Sequence, residues 1–294
     1  MRNTPIDIVP FDKEYLDAIQ ELDTNLWLAL HFNDDYKPEN AFCAVVGGRL
    51  VGVACLSLDA SFYAMDRDIP HKLLYNMALA ADAPQDAADQ LIEALTGRCD
   101  VYNALYPGKE ICVSANMETD DIDGMRLLMR HGFGLYGVIP VLQYDLDKKV
   151  KPVALPDEIQ IIPYELTDAS IKRYLEADRA ASGFSASEAE IRFNKEGPGF
   201  CCFCAVRGDD VVGSVTIWDI TESRGATENI FVVPAYRRRN IARALIATAL
   251  GALKKEGKKT AALSVSGTNM SAMKLYISCG YELSYNLLEM RFKG

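Results

Sequence analysis

Four arginines stand close together in the stretch VVPAYRRRNIARAL of residues 232–245, at Arg237, Arg238, Arg239 and Arg243. The chain as a whole is acidic, with 41 Asp and Glu against 31 Lys and Arg and a formal net charge of −10. Guanidinium groups bind phosphate through paired hydrogen bonds. The cluster therefore predicts a phosphate or diphosphate site, and a solvated basic turn without a ligand is the alternative.

The flanking residues place this charge at the start of a helix. The β-branched and aromatic run ATENIFVV (226–233) predicts a buried strand, and Pro234 ends its ladder. The pattern IARALIATALGAL, from Ile241 to Leu253, is helical. Because the free N–H groups and the dipole of a first helical turn attract anions, AYRRRN (235–240) is predicted to be a turn that leads into a diphosphate cradle.

Other binding motifs are weak or absent in the sequence. GALKKEGKK (251–259) has five residues between its glycines, lacks Ser or Thr after the lysine and lies at a helix end that repels phosphate. No G-x-G-x-x-G follows a predicted strand. The eight cysteines lie mostly in apolar runs without zinc spacing, and the three histidines are far apart, so no metal site is predicted.

Two patterns occur twice in the chain. AFCAVVGGRLVGVACLSL (41–58) resembles CFCAVRGDDVVGSVTIWD (202–219), and each predicts a β-hairpin. MRLLMRHGFGLYGV (125–138) resembles MKLYISCGYELSYN (273–286), and each predicts a helix that ends at a glycine before a strand. The order is kept and the offset drifts little, so the sequence indicates a tandem duplication.

The repeats define two predicted domains of one fold. They cover residues 1–148 and 158–294, with a charged, proline-containing linker at 149–157. The expected class is α/β (α+β), in which each domain has a mixed, mostly antiparallel sheet flanked by helices. Gly132 and Gly280 are expected to end helices in the left-handed conformation.

The C-terminal half resembles the GNAT superfamily of acyl-CoA-dependent N-acyltransferases. That family has a strand ending in Val-x-Pro-x-Tyr-Arg and then Arg/Gln-x-x-Gly-x-Gly/Ala at a helix start, a pattern similar to Val232–Ala242. A later Asn, Tyr and Gly-aromatic pair is matched by Asn269, Tyr276 and Gly280-Tyr281.

The resemblance covers roughly residues 155–294, and residues 1–150 more weakly. It departs at Asn240, which replaces the usual glycine, whereas Ala242 stays within the family pattern. Asn tolerates the left-handed region better than most residues, so donor binding is expected to survive with reduced affinity.

The resemblance implies acetyl-CoA as co-substrate. The cofactor-binding residues that it implies are Phe231, Val232, Val233, Arg238, Arg239, Asn240, Ile241, Ala242, Arg243, Asn269 and Tyr276. The strand backbone near Phe231 and Val233 would bind the pantetheine arm, and the N–H groups of residues 238–243 would bind the pyrophosphate. A strand N–H near Val232 or Val233 would stabilise the oxyanion.

Catalysis is expected to be direct attack of a neutral amine on the thioester in a ternary complex. Tyr276 is the implied general acid for the leaving thiolate, and a core aromatic is its alternative. Glu228 is the first candidate for the general base, with Asp219 and Glu222 behind it. Each of these carboxylates could instead be simply solvated.

The first half lacks these features. The strand LLYNMALA (73–80) is followed by a segment without Arg or Gly. That segment carries Asp82, Asp86 and Asp89, whose charges would repel CoA. Leu128 corresponds to Tyr276, and Asp121 corresponds to Asn269. The first half is therefore expected to be degenerate and to shape the acceptor cleft or a dimer surface, or to be a separate binding module.

The sequence thus favours an N-acetyltransferase acting on a primary amine of a small molecule or peptide, as a monomer or homodimer. Residues 167–193 are expected to border the acceptor site. The alternatives are a non-catalytic acyl-CoA-sensing or interaction module and, more remotely, a nucleotide-binding protein. Acidity argues against general nucleic-acid binding, and no apolar run of about 18 residues predicts a membrane span. The N-terminal sequence lacks a signal-peptide core, so a cytoplasmic location is expected.

Overall fold

A computed structural model describes residues 5–64 and 69–294 of the chain. The chain forms two compact units: Met1–Tyr136 with Leu288–Gly294, and Gly137–Leu287. Residues 1–4 and 65–68 of the predicted first domain lie outside the described residues. Two strands each contribute residues to both units, so the first division falls at residue 137. The linker at 149–157, inferred from the sequence repeats, stays a prediction.

Five strands and four α-helices lie wholly within the described residues of the first unit. They are β1 (Ile6–Pro10), α1 (Leu16–Leu22), α2 (Thr24–Phe32), β2 (Ala41–Val46), β3 (Arg49–Leu58), β4 (His71–Leu79), α3 (Ala87–Leu105), β5 (Ile111–Glu118) and α4 (Ile122–Arg130). The strand order is β1-β2-β3-β4-β5. The first three pairs are antiparallel, and β4 and β5 are parallel.

Strand β6 (Gly134–Asp145) leads into the second unit. The elements that follow are β7 (Gln160–Pro163), α5 (Asp168–Ser182), α6 (Glu188–Lys195), β8 (Cys201–Arg207), β9 (Asp210–Asp219), β10 (Arg224–Val232), α7 (Ile241–Lys255), β11 (Thr260–Ser264), α8 (Met270–Cys279) and β12 (Glu282–Lys293). From Leu288 onward, β12 belongs to the first unit.

The second unit repeats the topology of the first. Its strand order is β6-β11-β10-β9-β8-β7, in which only β10 and β11 are parallel. The predicted fold class and both hairpins are therefore confirmed. Gly132 and Gly280 have φ values of 83° and 101°, so both adopt the left-handed conformation that their helix ends require.

Two helices cover the central strands of the second unit. On one face, Leu245 and Leu253 of α7 belong to the same buried cluster as Ile217 of β9. On the other face, Tyr174 of α5 packs against Phe231 of β10, with ring centroids 5.6 Å apart. Full burial of such side chains contributes about 1.5–3 kcal/mol each, so β9 and β10 are firmly positioned. No helix within the described ranges is long and apolar enough to cross a membrane.

Candidate active site

The site begins where two parallel strands of the second unit separate. β10 and β11 pair only from Arg224 to Ala226. Beyond Ala226, β10 continues to Val232 along β9, whereas β11 continues to Ser264 along β6. The second half of β10 therefore has an edge that β11 does not pair with, and this edge offers backbone groups to an extended ligand.

A β-bulge lies on β10 at the point of separation. Glu228 pairs with Thr216 but Phe231 pairs with Ser214, so β10 has one residue more than its partner strand. Within the bulge, Asn229 has a φ of 46°, in the left-handed region. Bulges bend a strand and redirect its side chains. This bulge follows immediately after the candidate base.

The end of β10 corrects one backbone assignment. The Val233 N–H donates to Val212 O at 2.9 Å, so it is not free for a pantetheine arm or an oxyanion. Phe231 faces β9 in the same register, and its ring packs against α5. Alternation in an antiparallel ladder turns the N–H of Val232 away from β9. Val232 is therefore the residue of the three that presents its N–H to the open edge.

The turn before α7 creates a row of unpaired donors. Arg238 and Asn240 both have a φ of 64°, and the Asn240 side chain does not cap the helix. The first bond into α7 runs from Ala244 N–H to Asn240 O at 3.0 Å. The six N–H groups of residues 238–243 have no hydrogen-bond acceptor anywhere in the described parts of the chain. This helix N-terminus is suited to an anion.

The arginines divide into structural and free groups. Arg237 donates to Val232 O at 3.0 Å and to Ala181 O at 2.6 Å, so it fixes the turn to the strand and to α5. Arg239 forms an ion pair with Glu158. Arg238 has no side-chain partner in the described residues and is exposed. The predicted basic cluster therefore gives the turn positive charge, and Arg237 within it stabilises the fold.

Arg243 lies on the third residue of α7. Its guanidinium donates only a long bond, 3.5 Å, to Ser278 O at the end of α8. The side chain is thus available to a phosphate bound at the helix start, which charge-assisted hydrogen bonds would hold.

Glu228 is reached by solvent and lies within the separated part of β10. The surrounding protein raises the pKa of its carboxyl, and a hydrogen bond from Trp218 partly opposes this rise. Because the side chain retains access to water, the rise in the pKa is moderated. The raised pKa brings the carboxylate closer to the basicity that a general base needs.

Tyr276 is buried in α8, with 8% of its surface exposed. Burial, with a smaller contribution from Cys279, raises the pKa of its hydroxyl to about 12. The hydroxyl has no hydrogen-bond partner among residues 5–64 and 69–294, and solvent reaches it. With this raised pKa the phenol stays protonated at neutral pH, so its unbonded hydroxyl is free to donate a hydrogen bond to a ligand.

Tyr281 links the two candidate catalytic groups. Its hydroxyl hydrogen-bonds Thr227, the neighbour of Glu228, at 2.8 Å. Its ring lies 6.1 Å from the ring of Tyr276, centroid to centroid. Tyr281 is itself 1% exposed. It therefore holds α8 in a fixed relation to the separated strand.

The remaining candidates have other partners. Asn269 caps α8 by accepting from Ala272 N–H at 3.1 Å, which leaves its amide N–H groups for a ligand. Asp219 is ion-paired with the buried Lys258 at 2.8 Å, so its carboxylate already has a partner. Glu222 is exposed, and its carbonyl accepts from Lys258. In the described residues, no group of three or more His, Cys, Asp or Glu could hold a metal ion.

Four features of this site were not predicted from the sequence. They are the Trp218 hydrogen bond, the bulge at Asn229, the ion pair of Glu158 and the linking role of Tyr281. Tyr281 could have been noticed through its place in the Gly-aromatic pair. The other three depend on partners that are brought together only by the fold.

The first unit has the same frame with different residues. Gly52 pairs with the last residue of β4, as Gly213 pairs with the last residue of β10. Cys55, three residues after Gly52, pairs with Asn76. Thr216, three residues after Gly213, pairs with Glu228. The β3–β4 register has no shift, so the bulge is also missing.

The helix after the separated strands differs in the same way. Asp121 caps α4 and Asn269 caps α8. Leu128 lies seven residues after Asp121 and is fully buried. Tyr276 lies seven residues after Asn269. The first unit thus offers neither an ionisable base nor a hydroxyl at these two positions.

Comparison with solved structures shows the fold of the whole chain. A GCN5-related N-acetyltransferase from Sphaerobacter thermophilus aligns with a TM-score of 0.65 at 17% identity, covering 98% of this chain and 95% of that one. A tandem GNAT protein from the clavulanic acid biosynthesis pathway aligns with a TM-score of 0.67 at 12% identity, covering 98% of both chains. A putative acetyltransferase from Pyrococcus horikoshii gives 0.60 at 11% identity, covering 100% and 91%. The fold is therefore that of tandem GNAT proteins.

The family model described as "Acetyltransferase (GNAT) family" matches residues 166–281. No curated protein sequence matches the chain at a significant level. The matched residues 166–281 hold β10, α7 and α8. The match to this family supports acyl transfer from an acyl-CoA donor as the general class of reaction.

Proposed function

We propose that the second unit transfers an acetyl group from acetyl-CoA to a primary amine of a small molecule or peptide. The observation that carries the proposal is the row of six unpaired N–H groups at residues 238–243, beside a strand edge that is open from Ala226 onward. A diphosphate fits the helix start, and an extended arm fits the strand edge. Together they suit a CoA thioester.

The donor supplies an activated acetyl carbonyl. The chain's own residues supply proton transfers on either side of it. The Glu228 carboxylate takes the proton of the attacking amine, directly or through water, while the new C–N bond forms. The Tyr276 hydroxyl gives its proton to the sulfur as the C–S bond breaks, and the Val232 N–H is directed at the developing oxyanion.

The alternative is a non-catalytic acyl-CoA-sensing or interaction module. The reason to consider it is Asn240, which stands where the family pattern has glycine. Asn240 adopts a φ of 64°, the conformation for which glycine is ordinarily chosen. The backbone of the loop therefore gives no support to a defective donor site.

The test is to measure thiol release from acetyl-CoA against a panel of primary amines, alongside acetyl-CoA binding by calorimetry. The proposal expects binding, slow hydrolysis without an amine, and faster turnover with at least one amine. A sensor would bind acetyl-CoA and release no thiol above the uncatalysed rate. A chain that prefers ATP to CoA in competition would instead be a nucleotide-binding protein.

A further inference from the structure

A cavity of about 150 Å³ lies within the first unit, beside the start of α2. Its walls come from the first turns of α2, from the segment that follows α2 and from β4. A cavity of this volume holds a ligand of about six non-hydrogen atoms. The family match begins only at residue 166, so neither it nor the proposed transfer chemistry assigns a ligand to this cavity.

The cavity lies where β4 has separated from its parallel neighbour. β4 pairs with β5 only from His71 to Leu74, whereas Asn76 and Met77 are the residues of β4 that line the cavity. Asn76 is the counterpart of Glu228, the candidate base of the second unit. The first unit therefore has a cavity at the position that corresponds to the proposed reaction centre, although Asn76 itself is not ionisable.

A carboxylate with one free oxygen lines the cavity. Asp23 caps α2 by accepting from the Leu26 N–H through Oδ1 at 2.9 Å. Its other oxygen has no partner among residues 5–64 and 69–294, and solvent reaches it. No Lys, Arg or His is among the described residues that line the cavity. The full charge of the carboxylate outweighs the roughly +0.5 charge of a helix start, so this part of the cavity is negative.

Two amide side chains add further acceptor atoms. Asn76 donates two long bonds through its Nδ2, to Tyr36 Oη at 3.4 Å and to Leu74 O at 3.5 Å. Its carbonyl oxygen accepts from no group in the described part of the chain, and neither does the side chain of the exposed Asn25. A protonated primary amine has three N–H donors and no acceptor. The free oxygens of Asp23, Asn76 and Asn25 are the complementary set.

Apolar side chains complete the lining. Leu26 and Ala29 of α2 are each 6% exposed, and Met77 of β4 is partly buried. They suit a short alkyl group, because removal of apolar area from water stabilises a bound ligand. A second charge on the ligand would find no partner beside them and would be costly to bury.

We infer that this cavity binds a small, singly charged primary alkylammonium ion, with Asp23 as its counter-ion and Asn76 and Asn25 as further acceptors. The first unit is then a binding module with a ligand of its own. The inference goes beyond the proposed acetyl transfer and does not depend on it, because the described lining contains no residue of the second unit.

The experiment is an NMR titration of the isotopically labelled full chain with propylammonium at pH 7, where an alkylamine is protonated as a lysine side chain is. The reporter is the backbone N–H signal of Leu26, which lines the cavity and donates to Asp23. We expect a saturable shift of this signal. The affinity for 1-propanol, which has the same size and no charge, should be weaker by about 10-fold or more. The Gly124 N–H, which donates to Asp121 in a helix cap outside the cavity lining, should not shift.

Asp23→Asn removes the charge and keeps the cap, because Asn caps a helix as well as Asp does. The affinity for propylammonium, measured at Leu26, should fall by about 10-fold or more. The matched control is Asp121→Asn, which makes the same change at the cap of α4. It should change the affinity by less than about 2-fold.

The inference is overturned if the Leu26 signal of the native chain does not respond to propylammonium or responds with equal affinity to 1-propanol. Tighter binding of propanoate, the anion of the same size, would also overturn it, and so would an unchanged affinity in Asp23→Asn. The comparisons among the three ligands use the native chain, so they do not depend on the folding of a variant. The proposed acetyl transfer is tested separately by thiol release and would stand in each of these cases.

Discussion

Helices α3 and α7 begin at equivalent places in the two units, after a strand that separates from its parallel neighbour. α7 starts at Asn240 in the left-handed conformation and carries Arg243 at its third position. α3 starts at Asp86 in the right-handed conformation and carries Asp89 at its third position. One helix start therefore attracts an anion, and the other already has its own negative charge.

Asp89 shows how the first unit uses that position. Its carboxylate accepts from His131 at 2.7 Å and from Arg130 at 2.9 Å. Partial burial raises the pKa of Asp89, but these two hydrogen bonds outweigh burial and leave it lowered. The helix start that leaves its N–H groups unpaired in the second unit thus belongs to an internal ion-pair cluster in the first. The sheet and its helices persist without the site, because apolar packing specifies them and a few polar positions specify the chemistry.

The largest effect is expected from Tyr276→Phe. The substituted side chain has no hydroxyl, like Leu128 at the equivalent position of α4. Removal of the hydroxyl should lower kcat about 100- to 10,000-fold, the contribution of one positioned acid. The Kd for acetyl-CoA should change by less than about 2-fold, equivalent to roughly 0.4 kcal/mol. Tyr285→Phe, an exposed residue on β12, is the control and should keep full activity. An unchanged kcat for Tyr276→Phe would make Tyr276 a core aromatic.

Glu228→Gln copies the amide that Asn76 provides in the first unit. We expect kcat to fall about 100-fold. The native rate should decline as the pH falls, because the base must be ionised. The decline should begin modestly above the pH typical of a glutamate, because partial desolvation by the surrounding protein raises the pKa of Glu228. A steady-state pH profile of both proteins is the check, with Glu222→Gln as control. If the acidic decline persists in Glu228→Gln, another group is the base.

Arg243→Asp gives α7 the charge that Asp89 gives α3. The Kd for acetyl-CoA should rise about 10- to 100-fold, or about 1.4–2.8 kcal/mol, through loss of one charge-assisted contact and repulsion from the new carboxylate. Calorimetry measures it, and Lys172→Asp on α5 is the control. Saturating acetyl-CoA should largely restore kcat, so a permanently lost kcat would point to a misfolded variant or a different role for Arg243.

The smallest effect is expected in the first unit. Asp89→Asn should cost about 0.5–1 kcal/mol of unfolding free energy at pH 7, as for a partly exposed ion pair. The lowered pKa means that this stabilisation is present above the pKa of an unfolded aspartate, about 3.9, and is lost as the pH falls through the folded value. Denaturant unfolding at pH 7 and pH 3 measures the difference, which should shrink at the lower pH. Acetyl-CoA binding should not change.

Periodicity and turn residues were enough to predict much of the frame. The helix was predicted from Ile241, and α7 begins there. The strand was predicted at 226–233, and β10 covers Arg224–Val232 because Pro234 cannot continue the ladder. These signals are local, so a single sequence carries them.

The details of the site depend on distant partners. The extra residue at Asn229 shows no local signal, because a bulge is defined by its partner strand. The commitment of the Val233 N–H to Val212 and the pairing of Arg239 with Glu158 are likewise set by the fold. The return of residues 288–294 to the first unit depends on which strands finally pair. Sequence repeats alone could not indicate it.

The most direct test of the contrast between the units is the stoichiometry of acetyl-CoA binding to the full chain, measured by calorimetry. The variant Arg239→Glu/Ala242→Glu is measured in parallel, because it places two carboxylates at the start of α7. We expect one site per native chain and none in the variant. Two sites per native chain, or one site that survives in the variant, would place donor binding in the first unit and contradict the proposed difference between the units.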